Sequence, residues 1–90
     1  MPQIVRTHQY VKKELSFLKK NPAYKERYFK TLELLAVNPR HKSLRLHKLK
    51  GKFANSFSVS INLQYRIILD FIIINDEALL IDIGTHDEVY

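Results

Sequence analysis

Apolar residues recur at helical spacing in the first half of this chain and at alternating spacing in the second, so two kinds of element are expected in succession. Ile4 to Thr7 is short and β-branched, and predicts a first strand. From Tyr10 to Lys20, Val11, Leu15 and Leu18 fall at helical spacing, with Lys12, Lys13, Lys19 and Lys20 mostly elsewhere. That pattern predicts a helix buried along the Val11, Leu15 and Leu18 stripe. Asn21-Pro22 breaks this helix and starts the next. Asn is a good N-cap, and Pro is tolerated at the first helical position because its missing N–H has no partner there anyway. The second helix carries Tyr24, Tyr28, Leu32 and Leu35 on one stripe. It ends at Asn38-Pro39, since the residue before a proline disfavours the helical region. So tight a connection makes the two helices an antiparallel hairpin.

The second half changes period. Ser56 to Ile61 alternates strictly, turning Phe57, Val59 and Ile61 inward and three serines outward. Asn62-Leu63-Gln64 predicts a turn. Tyr65 to Ile74 is apolar on both sides, with Ile67, Leu69, Phe71 and Ile73 on one and Arg66, Ile68, Asp70 and Ile72 on the other. A strand of that kind is central in its sheet. Asn75-Asp76 is a turn, and Ala78 to Ile83 is another strand. The expected architecture is α+β, an N-terminal strand and a helical hairpin packed on an antiparallel sheet. Residues 1–90 form one domain, because two cores cut from 90 residues would each be too small to fold.

Composition narrows the chemistry. A 46% hydrophobic chain with 11% aromatic residues supports a real core. There is no cysteine, and the four histidines lack the spacing of a zinc site, so neither disulfides nor a bound metal are expected. Met1 to His8 has no apolar run of the kind a signal peptide needs, and Ile67 to Ile74 is too short to span a bilayer. No basic helix with an aromatic face points to a membrane surface, and a cytoplasmic setting is expected. Fifteen Lys and Arg against nine Asp and Glu give a charge of +6 and a pI near 9.7. No acidic residue stands between Glu33 and Asp70, an interval that holds Arg40, Lys42, Arg45, Lys48, Lys50, Lys52 and Arg66 with His41 and His47. A block of one sign on a compact domain draws polyanions, and nucleic acid is favoured over a plain solvated face.

Two histidines stand out. Cations surround His47 and oppose a proton on its ring, which suits a base. Gly51 nearby serves a turn with positive φ. His86 follows a strand end, and Asp87 and Glu88 favour its protonated form, which suits an acid. Arg66 and Asp70 share a strand face, and Ser58, Ser60 and Asp82 point the same way if the meander keeps its register. Arg66 then either pairs with Asp70 or Asp82, or serves a ligand groove.

Lys48-Leu49-Lys50-Gly51, the Tyr65-Arg66-Ile67 strand and the ending Gly84-Thr85-His86-Asp87-Glu88-Val89-Tyr90 together resemble the RelE/ParE superfamily of bacterial toxins. The likeness is strongest to RelE/StbE-type and YafQ-like mRNA interferases, and covers nearly the whole chain. It implies the toxin of a type II toxin–antitoxin system, cleaving mRNA on the ribosome without metal or cofactor. The 2′-hydroxyl attacks the adjacent phosphate and the 5′-oxygen leaves. The resemblance further implies His47 and His86 as the acid/base pair, Arg66 on the phosphate and Tyr90 orienting or stacking on a base. Arg45, Lys48, Lys50 and Lys52 would bind RNA, and a cognate acidic antitoxin would be the protein partner. In three places the chain departs from the pattern. Ser60 stands where YafQ-like members carry a histidine, Gln64-Tyr65 near their Asp-Trp, and Asp82 where some carry an arginine. An anion there would oppose phosphate binding. The same fold also admits a ParE-like inhibitor of DNA gyrase that cleaves nothing, or a degenerate member that only binds its antitoxin.

Overall fold

A computed structural model describes residues 2–50 and 56–85. In chain order the elements are β1 (Gln3–Arg6), α1 (His8–Lys20), α2 (Lys25–Val37), β2 (His47–Lys48), β3 (Phe57–Ser60), β4 (Tyr65–Ile72) and β5 (Glu77–Thr85). The strands form one sheet in the order β1-β5-β4-β3-β2. β2 to β5 pair antiparallel, as the meander pattern predicts, while β1 joins β5 in parallel, so the sheet is mixed. Parallel neighbours need a long crossover, and the helical hairpin with the first part of the meander supplies it. Among the described residues no helix is long and apolar enough to cross a membrane.

β4 is the middle strand, and its two-sided apolar pattern follows from that place. Ile67 and Leu69 lie in the main core under the helices. Ile68 packs with Leu49 and Ile81 on the opposite face. The strand ends at Ile72, earlier than the apolar run does. Ile73 and Ile74 lie in the following turn, 88% and 96% exposed, and Asp76 closes that turn with φ of 51°. Asn62 makes the other turn as an Asx motif, its Oδ1 accepting from the Gln64 and Tyr65 backbone N–H groups.

Two expectations at the helices are corrected. Asn21 does not cap the start of α2; its backbone N–H and its Nδ2 both donate to Phe17 O, closing the end of α1. Pro22 opens a 3-10 turn, Pro22–Tyr24, that leads into α2. The second correction is larger. α1 buries Tyr10, Glu14 and Phe17; of the expected stripe Leu18 packs against the core, while Val11 and Leu15 are 41% and 64% exposed. The helix is turned by one residue from the face that its aliphatic side chains predict.

The cause is a polar network. Arg6 Nε lies 3.0 Å from both carboxylate oxygens of Glu14. Tyr28 donates its hydroxyl proton to Glu14 Oε2 at 2.5 Å. That proton being spent, Tyr10 must donate to the Tyr28 hydroxyl, 2.7 Å away. A buried carboxylate is costly alone but compensated when charge-assisted bonds converge on it. Burial pushes the ionisation of both tyrosines well above the usual range, and for Tyr28 the neighbouring Tyr10 and Glu14 add to it. The stripe on α2 is as expected, with Tyr28, Leu32 and Leu35 buried and Tyr24 packed against them.

Glu14→Ala should lower stability by about 3 kcal/mol, the low end for removing one partner of a buried pair, because Arg6 keeps 33% of its side chain exposed. Leu15→Ala should stay within about 0.5 kcal/mol. Urea midpoints check this, and the reverse order would mean that α1 buries its other face. Tyr10 and Tyr28 stay protonated in the fold, whereas in the unfolded chain they ionise near pH ~10. Their contribution is therefore complete below that pH and lost as pH rises through and above it. In an alkaline absorbance titration, two of the five tyrosines should ionise only as the protein unfolds.

Candidate functional site

Alternation along the strands places His47, Ser58, Ser60, Arg66 and Asp70 on the sheet face away from the helices. The register sets His47 opposite Ser58, and lines up Ser60, Arg66 and Gly84 across three strands. Gly84 has no side chain, which leaves room over β5 for the Arg66 guanidinium.

Arg66 holds the cluster together. Its Nε donates to Ser58 Oγ at 3.0 Å, and its Nη2 donates to the Arg45 carbonyl at 3.0 Å and to His47 Nδ1 at 3.2 Å. A guanidinium can only donate, so Nδ1 accepts and the ring proton sits on Nε2, 3.4 Å from Ser58 Oγ. Nδ1 is also 3.4 Å from the Arg45 carbonyl, to which the other tautomer would donate. The shorter Arg66 contact decides against that tautomer. Among the described residues Arg66 Nη1 has no partner, so one edge of the fork is open.

Two groups in this cluster have roles that the sequence did not assign, the Ser58 hydroxyl and the Arg45 carbonyl. Ser58 is fully buried, and Ser56 and Ser60 are nearly so, which corrects the outward placement of the serines. They lie on the predicted face, but under polar partners and not under water. The other member is the Arg45 carbonyl. Arg45 adopts φ 50°, ψ 47° at the end of the 3-10 turn Lys42–Leu44. A left-handed conformation costs a residue with a Cβ roughly 1–2 kcal/mol. Here it aims the carbonyl at the guanidinium. Nothing in the sequence marks an arginine for that conformation. The strict alternation around Ser58 was the one available signal for the serine.

Of the two alternatives for Arg66, the ion pair with Asp70 or Asp82 does not form. Asp70 Oδ1 accepts from Ser56 Oγ at 2.6 Å. In the β4–β5 ladder the register slips between Ile68 and Leu69, leaving Ile81 as an extra residue on β5. Beside that bulge Asp82 Oδ1 takes Lys13 Nζ of α1 at 2.8 Å and the Ile83 N–H at 2.8 Å. A bulge re-aims side chains in this way. The anion that threatened the site is thus neutralised by α1 and does not meet Arg66.

The remaining cations are spread out. The Arg45 side chain and Lys50 are exposed. Lys48 pairs with Phe57 and so lies on the opposite face from His47. Lys52, Gly51, His86 and Tyr90 lie outside the described residues. Among the described residues no three His, Asp or Glu side chains gather to hold a metal. The arrangement can bind a phosphate at the guanidinium edge of Arg66 beside the His47 imidazole.

No family model matches the sequence, and no curated protein matches it. Solved structures do match. YafQ from E. coli strain BL21(DE3) superposes with a TM-score of 0.80 at 14% identity, over 100% of this chain and 99% of that one. A metal-bound toxin from Helicobacter pylori gives 0.80 at 21% identity, over 100% of both chains. A YoeB–YefM complex from Staphylococcus aureus gives 0.74 at 16% identity, over 96% of this chain and 98% of that one. The chain has the fold of these toxins, the RelE/ParE-like architecture expected from its sequence.

Proposed function

We propose that this chain is the toxin of a toxin–antitoxin pair and cleaves mRNA as a metal-independent endoribonuclease, acting in the cytoplasm on translating ribosomes. The observation that carries this reading is the His47–Arg66 pair, 3.2 Å apart beside Ser58 on the sheet face away from the helices. The fold shared with YafQ and YoeB supports it. So does the salt bridge that keeps Asp82 on Lys13.

The chemistry follows from the donors. A non-bridging phosphate oxygen takes Arg66 Nη1, and a second oxygen draws Nη2 away from His47. This frees the Nδ1 lone pair when substrate is bound. Nδ1 then accepts the proton of the 2′-hydroxyl, and the 2′-oxygen forms a bond to phosphorus. The bond from phosphorus to the 5′-oxygen breaks, and that oxygen takes a proton from His86. The products are a 2′,3′-cyclic phosphate and a free 5′-hydroxyl. Arg66 stabilises the charge that builds on the equatorial oxygens, and Tyr90 stacks on a flanking base. Arg45 and Lys50, both exposed, supply cations for the RNA backbone, Lys52 is assigned the same role, and Lys48, on the other face, adds long-range attraction.

The partner is a cognate acidic antitoxin that competes with RNA. The +6 charge supports this, as does the S. aureus YoeB–YefM complex of the same fold. Inhibition of DNA gyrase requires no imidazole beside Arg66. Asp82, the anion that would oppose phosphate binding, is paired with Lys13.

Induced expression should arrest bacterial growth and leave translated transcripts cut. His47→Ala and Arg66→Ala should each slow cleavage about 10²–10³-fold while the protein stays folded by circular dichroism. Normal growth with intact transcripts in a ribosome-bearing extract would overturn the catalytic reading, and DNA breaks with intact mRNA would select gyrase. Ser58→Ala should cost about tenfold, one lost positioning bond to a charged group. Ser58→Thr, which keeps the hydroxyl, should restore most of that loss. Equal losses in both variants would remove Ser58 from the mechanism.

A further inference from the structure

The turn between β4 and β5 is built from residues that turns do not favour. The Asp76 N–H donates to the Ile73 carbonyl at 3.2 Å, which puts Ile74 and Asn75 at the apex. Such positions usually go to glycine, proline, asparagine, aspartate or serine, which ease the bend or hydrogen-bond across it. Two β-branched aliphatic residues do neither. Ile73 and Ile74 are 88% and 96% exposed, so they pack on nothing in their own chain. A single exposed aliphatic side chain is ordinary, but two adjacent ones at the tip of a hairpin form a knob.

A hole of matching chemistry lies at the same end of the sheet. Phe57 and Phe71 meet edge to face, ring centroids 5.3 Å apart, and with Pro39, Arg40 and Leu46 they line a cavity of about 200 Å³. Four of these five residues are apolar, and the charged one, Arg40, is exposed. Phe71 stands two residues before Ile73, so knob and hole share one end of β4. Their charges are complementary. Asp76 and Glu77 directly follow the knob, whereas Arg40, His41 and Lys42 adjoin the hole.

We propose that the occupant of this cavity is a second copy of the chain, the two copies pairing about a two-fold axis with the Ile73-Ile74 tip of each in the Phe57–Phe71 cavity of the other. Both halves of the contact, apolar and charged, are present on this one chain. Because they lie at one end, the exchange is reciprocal and closes at two copies; on opposite ends they would string copies into a filament. The pairing takes two isoleucines of each copy out of water and brings each acidic tip toward the Arg40 side of its neighbour. Arg66 lies five residues from Phe71 along β4, about 17 Å, and on the other face of the strand. The His47–Arg66 cluster therefore stays open in both copies, and the pairing is independent of the RNA-cleaving reading.

Sedimentation equilibrium on the full chain tests this. The mass should rise from 10.7 kDa toward twice that value as the concentration climbs through the micromolar range. Ile74→Asp, at a position with no packing to lose, should weaken association about 30-fold, as for a central interface residue, and leave the thermal melt unchanged. Arg40→Glu should weaken it several-fold. The chain has no cysteine, so single introduced ones report the geometry. Ile74→Cys and Arg40→Cys should form a disulfide with each other about tenfold faster than either forms one with itself. A mass of 10.7 kDa at every concentration overturns the proposal. A dimer indifferent to Ile74→Asp, or equal rates of all three cross-links, overturns it too. So does a monomer that binds phosphatidylglycerol vesicles only while Ile74 is intact, which would make the tip a membrane anchor. Transcript cleavage is read separately, since these variants leave His47 and Arg66 untouched.

Discussion

The Glu14 carboxylate is the constraint on which the rest of the arrangement turns. It receives Arg6 from β1 and Tyr28 from α2, with Tyr10 of its own helix one bond further out. Three successive elements are thereby tied at one buried charge. A single-residue step rotates an α-helix by about 100°. Burying Val11 and Leu15 would therefore carry Glu14 to solvent and strand Arg6 and the two hydroxyls. The gain from two aliphatic side chains is a few kcal/mol. The loss of a converged set of charge-assisted bonds exceeds it. The same rotation sets Lys13, the next residue back, against Asp82.

That pairing links the core to the candidate site. Asp82 follows the extra residue in β5, and its charge is taken up by α1. The opposite sheet face is left with a positive group whose own carboxylate candidates are both engaged elsewhere. Arg66 is instead restrained by neutral acceptors: a buried hydroxyl, a backbone carbonyl and an imidazole nitrogen. Neutral acceptors orient a guanidinium without cancelling its charge, which is what anion binding needs. The left-handed backbone at Arg45 is the cost of placing one of those acceptors.

The basic interval between Glu33 and Asp70 is not one uniform face. Lys48 faces away from His47, and Lys30 from the preceding helix stands by a groove between α2 and β3. Net charge controls attraction at a distance, while the sheet register controls which cations meet one ligand.

Some of this was determined by the sequence alone. Local periodicity and turn chemistry specified the helical hairpin, the α2 stripe, the central place of β4 and the antiparallel meander, because these depend on neighbours within a few residues. The shared face of Ser58, Ser60 and Arg66 was legible, since alternation is local and only the register had to hold, whereas His47 joined it only through the pairing of β2. The tertiary structure decided the rest. Which stripe α1 buries depended on donors from β1 and α2, and hydrophobicity counts a buried glutamate as an outward one. The direction of Asp82 depended on a one-residue slip against β4, and the parallel seat of β1 on which edge of the sheet remained unpaired. The Arg45 conformation depended on a guanidinium arriving from β4, 21 residues later in the chain. Each is a contact between separate elements, whose energy does not exist until both have been brought together.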